Sequence, residues 1–226
     1  MLKRVVALIL ACSPAMAEKV AAESKLFRDF TVGAPIESVS GLKGLYRCDA
    51  KESWYCQPDV EFAGEQWLAR VKFYGSRLGL VELERPNSDS KMGAAVKTLL
   101  EHEYLLLSMR AASGAYLDWI EVSSKNPLDK EGNQAKLLDW INRNGMNSAP
   151  GWKTKYIDMA FPKRLLLRAM FLTSETAMLE HLGGHARLAV VESPTDQPKL
   201  LRITFVRPQG LLEILKSAAP PSTAPF

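Results

Sequence analysis

Alternating apolar and polar side chains mark several segments of the chain as β-strands. Every second residue is apolar in Trp67–Phe73, and an apolar run returns in Leu78–Leu83 after the break at Gly75-Ser76. Leu188–Val191 and Leu201–Phe205 repeat this arrangement near the C-terminus. A period of two is the pattern of a strand with one buried face, and two such runs around a short turn predict an antiparallel hairpin.

Short segments with a helical spacing of apolar residues lie among these strands. Thr173 can cap the start of one such helix, and Gly145 can end another. Two more runs, Tyr104–Met109 and Tyr116–Val122, fit either a strand or a helix. The predicted fold class is therefore α+β, with mainly antiparallel sheets and short helices packed on one face. The predicted helices are Ile36–Leu42, Lys91–Glu103, Gln134–Asn142, a helix that follows Thr173, and Leu211–Lys216.

A polar segment, residues 123–133, separates two regions of similar size. It contains one proline and one glycine among mostly polar side chains, which is typical of a linker or a long loop. The flanking regions, 18–122 and 134–217, both contain predicted strands and helices. The sequence leaves open whether they form two subdomains or share one sheet. Residues 218–226 contain three prolines, and we expect this tail to be disordered.

Residues 1–17 have the anatomy of a secretory signal peptide. The cations Lys3-Arg4 precede a short apolar run, Val5–Cys12, and Ala15–Ala17 offers small residues at the cleavage positions. The apolar run is too short to span a bilayer, which takes about 20 residues, and no later segment is long and apolar enough either. We therefore expect cleavage after residue 17 and export to a bacterial periplasm. The alternative is a lipoprotein anchored at Cys12.

Two cysteines, Cys48 and Cys56, remain after cleavage. An even number of cysteines in an oxidising compartment predicts a disulfide, and the flanking residues indicate a hairpin in which Cys48 lies opposite Cys56. The alternative is a redox or metal site, although the spacing is not C-x-x-C and no histidine is adjacent. Trp54 and Tyr55 lie beside the turn and are candidate partner-binding residues, because a rigid turn displays aromatic side chains well. Their alternative role is packing, with Trp54 over the disulfide and Tyr55 at the edge of the sheet.

Composition and charge exclude several classes of protein. The 226 residues are 47% hydrophobic and 24% charged, which is ordinary for a globular protein and excludes collagen-like and wholly disordered chains. Basic residues number 29 against 25 acidic ones, and two of the basic residues belong to the predicted signal peptide. The mature chain is thus nearly neutral, which gives no electrostatic basis for binding nucleic acid.

The sequence contains few of the short motifs that indicate catalysis, metal binding or nucleotide binding. It has no G-x-S-x-G, H-E-x-x-H, Walker or dinucleotide-binding motif, and its S-x-x-K matches at Ser40 and Ser88 lack the companion motifs of a serine acyl-enzyme. The remaining metal candidate is the pair His181 and His185. Their spacing suits one face of a helix, but Gly183-Gly184 should end the helix between them. We expect no cofactor.

These features together favour a binding protein over an enzyme. The leading hypothesis is a non-enzymatic periplasmic module that binds a protein partner through a sheet face or the Cys48–Cys56 turn. An inhibitor or immunity protein against an envelope-acting toxin is one version, and an accessory factor for envelope assembly or secretion is another. The alternative is a periplasmic hydrolase that acts on cell-wall material, for which a cleft containing His181, His185 and a carboxylate is the expected sign.

Overall fold

The computed structural model describes residues 25–40, 44–49, 53–86, 95–99, 104–145, 150–158, 173–181 and 186–218. The predicted signal peptide, Cys12, His185 and the tail beyond Ala218 lie outside these residues. Within them, the predicted α+β class with a large antiparallel sheet is confirmed. The described strands are β1 (Lys25–Phe27), β2 (Phe30–Thr31), β3 (Tyr46–Asp49), β4 (Trp54–Phe62), β5 (Glu65–Tyr74), β6 (Arg77–Pro86), β7 (Tyr104–Arg110), β8 (Tyr116–Asp118), β9 (Lys153–Asp158), β10 (Leu188–Glu192) and β11 (Leu200–Val206). The described helices are α1 (Ile36–Ser40), α2 (residues 95–99), α3 (Trp119–Lys125), α4 (Lys130–Asn144), α5 (Glu175–His181) and α6 (Pro208–Ala218).

Nine of these strands form one sheet in the order β3-β4-β5-β6-β11-β10-β9-β7-β8, and each neighbouring pair is antiparallel. The pairing of β6 with β11, in which Leu83 lies opposite Ile203, joins the two regions of the chain. Strands from both sides of residues 123–133 therefore share a sheet, which is one of the two arrangements that the sequence left open. The division of the chain into regions at these residues stays a prediction.

One face of the sheet carries the main hydrophobic core. The alternation predicted for Trp67–Phe73 is confirmed, because Trp67 and the apolar residues that follow it at every second position are buried. The β1–β2 hairpin and helices α1 and α2 cover this face, to which they contribute Leu26, Val39 and Leu99. The core thus connects elements that are far apart in the chain.

The opposite face carries a second, smaller apolar cluster. Tyr156 and Ile157 are neighbours on β9 but belong to different clusters, since successive side chains of a strand point to opposite faces. Ile157 packs with Ile120 of α3 and Met178 of α5. Helices therefore cover both faces of the sheet, whereas the sequence predicted them on one. Ile157 is fully buried although it points away from the main core, so this part of the second face needs cover as well.

Much of the predicted linker at 123–133 is helical. Helix α3 extends to Lys125 and α4 begins at Lys130, so only four residues lie between them. Both helices are capped by aspartate: the side chain of Asp118 accepts a hydrogen bond from the backbone of α3, and that of Asp129 accepts one from the backbone of α4. Gly145 ends α4 in the left-handed conformation, as predicted. None of the described helices is both long and apolar enough to cross a membrane.

Candidate functional site

The two cysteines form the predicted disulfide, but the register of their hairpin differs from the prediction. Cys48 and Cys56 are bonded, with Cα atoms 5.6 Å apart. The residue opposite Cys56 is Tyr46, not Cys48, so the predicted register is wrong by two residues. The irregularity in β3 lies at Cys48 itself, since Arg47 and Asp49 on either side of it lie opposite the consecutive residues Tyr55 and Trp54. Ser53 turns the chain at a φ of 57° just before Trp54. Such a bulge shifts the pairing without breaking the hairpin.

Strand β3 is the most exposed part of this hairpin. It is an edge strand of the sheet as described. Successive residues of a strand point to opposite faces, yet Tyr46, Arg47 and Cys48 are all exposed. The side chain of Tyr46 is 52% accessible to solvent, which is unusual for so large an aromatic residue. The disulfide ties this exposed strand to β4, where Cys56 is buried.

The predicted binding residues Trp54 and Tyr55 lie on opposite faces of β4 and are not brought together. Trp54 is only 8% accessible. The guanidinium of Arg70 lies 4.4 Å from the centre of its ring, and the ammonium of Lys72 lies 4.9 Å away. Tyr55 packs edge-on against Phe73 at 5.3 Å on the core side. Both side chains serve the packing of the hairpin, and a role of either in binding a partner stays a prediction.

A row of alternating charges crosses five adjacent strands on the same face as Trp54. We call it the charged strip, and its members are Arg70 of β5, Glu82 and Glu84 of β6, Arg202 of β11, Glu192 of β10 and Lys153 of β9. Each member pairs with a charge on the next strand. The three cations and three carboxylates neutralise one another, which favours a role in fixing the order of the strands.

The two glutamates of β6 have different environments within the charged strip. One oxygen of Glu84, Oε1, lies 2.9 Å from Nη1 of Arg70 and 2.8 Å from Nη2 of Arg202. Glu82 is farther from the same two arginines, at 3.8 Å and 3.6 Å. Burial raises the pKa of Glu82 above its usual value, and the arginines offset this only in part. Arg202, whose pKa its carboxylate neighbours raise despite burial, stays charged.

A second polar cluster fastens α5 to the sheet. Glu175, the first residue of α5, accepts hydrogen bonds from the Tyr116 hydroxyl and, at 3.0 Å, from the Lys155 ammonium. Its backbone N–H donates to Asp118 at 2.8 Å. Burial alone would raise the pKa of Glu175, but the hydrogen bonds that its carboxylate receives from Tyr116, Ser108 and Lys155 lower it. Burial and the bond to Glu175 raise the pKa of Tyr116 to about 12, so both groups keep one protonation state near neutral pH.

The histidines proposed as a metal site are only partly described. His181 is the last residue of α5 and is exposed, and His185 lies outside the described residues. Within the part of the chain that the structure describes, no three histidine, cysteine, aspartate or glutamate side chains are grouped to hold a metal ion. The metal alternative stays a prediction that the described residues do not support.

Sequence reasoning missed the charged strip and the Glu175 cluster. The alternation in β5 showed that Arg70 points away from the core, but the contacts of Glu82 and Glu84 with Arg202 depend on the pairing of β6 with β11, two segments more than 100 residues apart. Comparison of the chain with family models, curated proteins and solved structures found no match.

Proposed function

We propose that this chain is a non-enzymatic binding module of the bacterial periplasm, and that it binds a protein partner through strand β3. The observation that carries the proposal is the 52% exposure of Tyr46 on an end strand that a disulfide holds in place. Tyrosine is enriched among residues that dominate binding energy, and a fixed backbone reduces the entropy lost on association. Arg47, also exposed and next in the strand, extends this surface.

The disulfide also supports the proposed compartment. Disulfides persist in the periplasm and outside the cell but are rare in reducing compartments. Fractionation of the expressing bacterium tests this point, with the disulfide state read from gel mobility after alkylation. The variant Cys12→Ser separates the two export routes: a soluble protein keeps its fraction and its mass, whereas a lipoprotein loses its acyl groups and its membrane association.

Site-specific photocrosslinking tests the partner surface. A photoreactive phenylalanine analogue replaces Tyr46 in the full chain, expressed in the organism that encodes it. Leu128, which is 95% exposed between α3 and α4, provides the control position. We expect a defined adduct from position 46 and none from position 128. Adducts of equal yield at both positions, or none at position 46, would contradict the proposal.

The captured partner then distinguishes the versions of the hypothesis. A toxin that acts on the envelope indicates an inhibitor, and a component of an assembly or secretion machine indicates an accessory factor. With the purified partner, we expect Tyr46→Ala to weaken binding at least tenfold, or by about 1.4 kcal/mol. The melting temperature should stay the same, because Tyr46 belongs to neither apolar cluster.

A further inference from the structure

A second exposed aromatic residue lies at the other end of the sheet. Tyr116 of β8 is 47% accessible to solvent, and the nine-stranded order begins with β3 and ends with β8. Eight strand spacings of about 4.8 Å, or about 38 Å along the sheet, separate these two strands. A protein bound at Tyr46 can therefore leave the surface around Tyr116 accessible.

The ring of Tyr116 is held in place by two neighbours. Its hydroxyl donates a hydrogen bond to Glu175, which is only 4% accessible, and the guanidinium of Arg110 lies 5.5 Å from the centre of its ring. Arg110 lies opposite Tyr116 in the β7–β8 pair and is itself exposed. Side chains that are ordered before association lose less entropy on binding, so this pair is prepared for contact with another molecule.

The acidic side chains on this part of the sheet already have partners. Glu192 contacts the ammonium of Lys153 at 2.6 Å, and Glu175 contacts that of Lys155 at 3.0 Å. The two oxygens of Asp118 accept hydrogen bonds from backbone N–H groups at 3.0 Å and 2.8 Å. These carboxylates are therefore committed to contacts within the chain.

Arg110, in contrast, has no ion pair within the described part of the chain. Its neighbour on the side away from Tyr116, directly opposite in the β7–β9 pair, is Lys153, and like charges in such a position repel each other. A carboxylate from another molecule would reduce this repulsion. The guanidinium can bind it through two parallel N–H groups while its flat face stays over the Tyr116 ring.

We propose that Arg110 and Tyr116 form a partner-binding surface separate from strand β3, and that it binds an acidic segment of a protein. A carboxylate of that segment accepts hydrogen bonds from Arg110, and a neighbouring side chain packs against the exposed part of the Tyr116 ring. Both residues are exposed, whereas small ligands bind mostly in concave sites. Arginine and tyrosine are also enriched among the residues that dominate binding between proteins.

Selection from a random heptapeptide library displayed on phage tests the chemistry of the partner. The immobilised targets are the full chain and its variants Arg110→Ala and Tyr46→Ala. We expect the wild type and Tyr46→Ala to enrich aspartate and glutamate in the selected peptides, and Arg110→Ala to lose this enrichment. No acidic enrichment by the wild type, or equal enrichment by Arg110→Ala, would overturn the proposal. Because Arg110→Ala leaves strand β3 intact, failure at this surface is distinguishable from failure at Tyr46.

The affinity of one selected acidic peptide, synthesised with a fluorescent label, then measures the contribution of Arg110. In anisotropy titrations, we expect Arg110→Ala to raise the Kd at least tenfold, with an unchanged melting temperature because the side chain is exposed. Arg110→Lys should raise it at least threefold, since lysine keeps the charge but lacks the paired N–H groups. The matched control is Arg143→Ala, because Arg143 is also exposed but is ion-paired with Asp139 on α4. Unchanged affinity in Arg110→Ala, or an equal loss in Arg143→Ala, would overturn the assignment.

Discussion

Arg202 and Glu84 lie directly opposite each other on β11 and β6, and the guanidinium contacts a single carboxylate oxygen through both Nε, at 2.9 Å, and Nη2, at 2.8 Å. The same oxygen receives a hydrogen bond from Arg70 on the other side. This carboxylate therefore connects three adjacent strands. Glu82, two residues earlier on the same face, has longer contacts with the same arginines and a raised pKa.

The two glutamates should consequently respond differently to neutralisation. At pH 7.5, we expect Glu84→Gln to lower the free energy of unfolding by about 2 kcal/mol, because the glutamine oxygen can still accept but its hydrogen bonds from the two half-buried arginines no longer involve a carboxylate charge. Glu82→Gln should change it by less than about 0.5 kcal/mol, since burial of its charge offsets the attraction of the arginines. Urea unfolding of both variants measures the difference, and an equal loss in both would contradict it.

The pH dependence of Glu82 provides a second measurement. Its folded-state pKa lies above 4.5, so the folded protein holds this proton more tightly than the unfolded chain does. Its contribution to stability is present at low pH and is lost as the pH rises from about 4.5 through the folded-state pKa. Relative to the wild type, Glu82→Gln should therefore gain stability across that window. A relative loss with rising pH would contradict the assignment.

Glu175 should show the opposite pH dependence. Its pKa is lowered in the folded state by its hydrogen bonds, so its contribution is present above about pH 4.5 and is lost as the pH falls through the folded-state value. We expect Glu175→Gln to cost about 1–2 kcal/mol at pH 7 and progressively less below pH 4.5. Tyr116→Phe is the control, because it removes one hydrogen bond to the Glu175 carboxylate but leaves the carboxylate itself and its bond from Lys155 in place. A loss that is constant with pH would show that the contribution of Glu175 does not depend on its charge.

Stability of the whole chain should depend on the disulfide. Closing the loop between Cys48 and Cys56 restricts the unfolded chain, and in the chain-entropy model a loop of this length contributes about 2–3 kcal/mol. We expect the double variant with serine at both positions to lose that amount in urea unfolding. Wild type unfolded in reductant should match the variant, because both lack the same constraint. A variant as stable as the oxidised wild type would contradict this role.

Local patterns in the sequence predicted the strands β5, β6, β10 and β11, but they left β7 and β8 open between strand and helix and did not give all of the pairings. The period of two in Trp67–Phe73 indicates its buried face directly, because the environment of each residue in a half-buried strand repeats every second position. The register of the β3–β4 hairpin was missed because the extra residue at Cys48 cannot be recognised from the alternation of apolar and polar side chains. The helix at Trp119 was ambiguous because Asp118 ends β8 and caps α3 at the same point.

The candidate sites depend on contacts that no local pattern encodes. Tyr116 meets Glu175, which is distant in the chain, only when α5 packs on the sheet. Tyr46 is exposed because β3 ends the sheet, which is a property of strand order. The two sites can therefore be located only once the topology is known, although each of their residues is visible in the sequence.

Trp54 provides the test that separates folding from binding at the disulfide hairpin. The ring is nearly buried between Arg70 and Lys72, so Trp54→Ala should destabilise the protein by about 3 kcal/mol through lost burial and lost cation–π contacts. Trp54→Phe keeps an aromatic face for both cations and should lose less than half of that. If Tyr46 is the binding residue, Trp54→Phe binds the partner as the wild type does, and Tyr46→Ala binds weakly at unchanged stability. A binding defect in Trp54→Phe without a loss of stability would instead assign Trp54 to the partner surface.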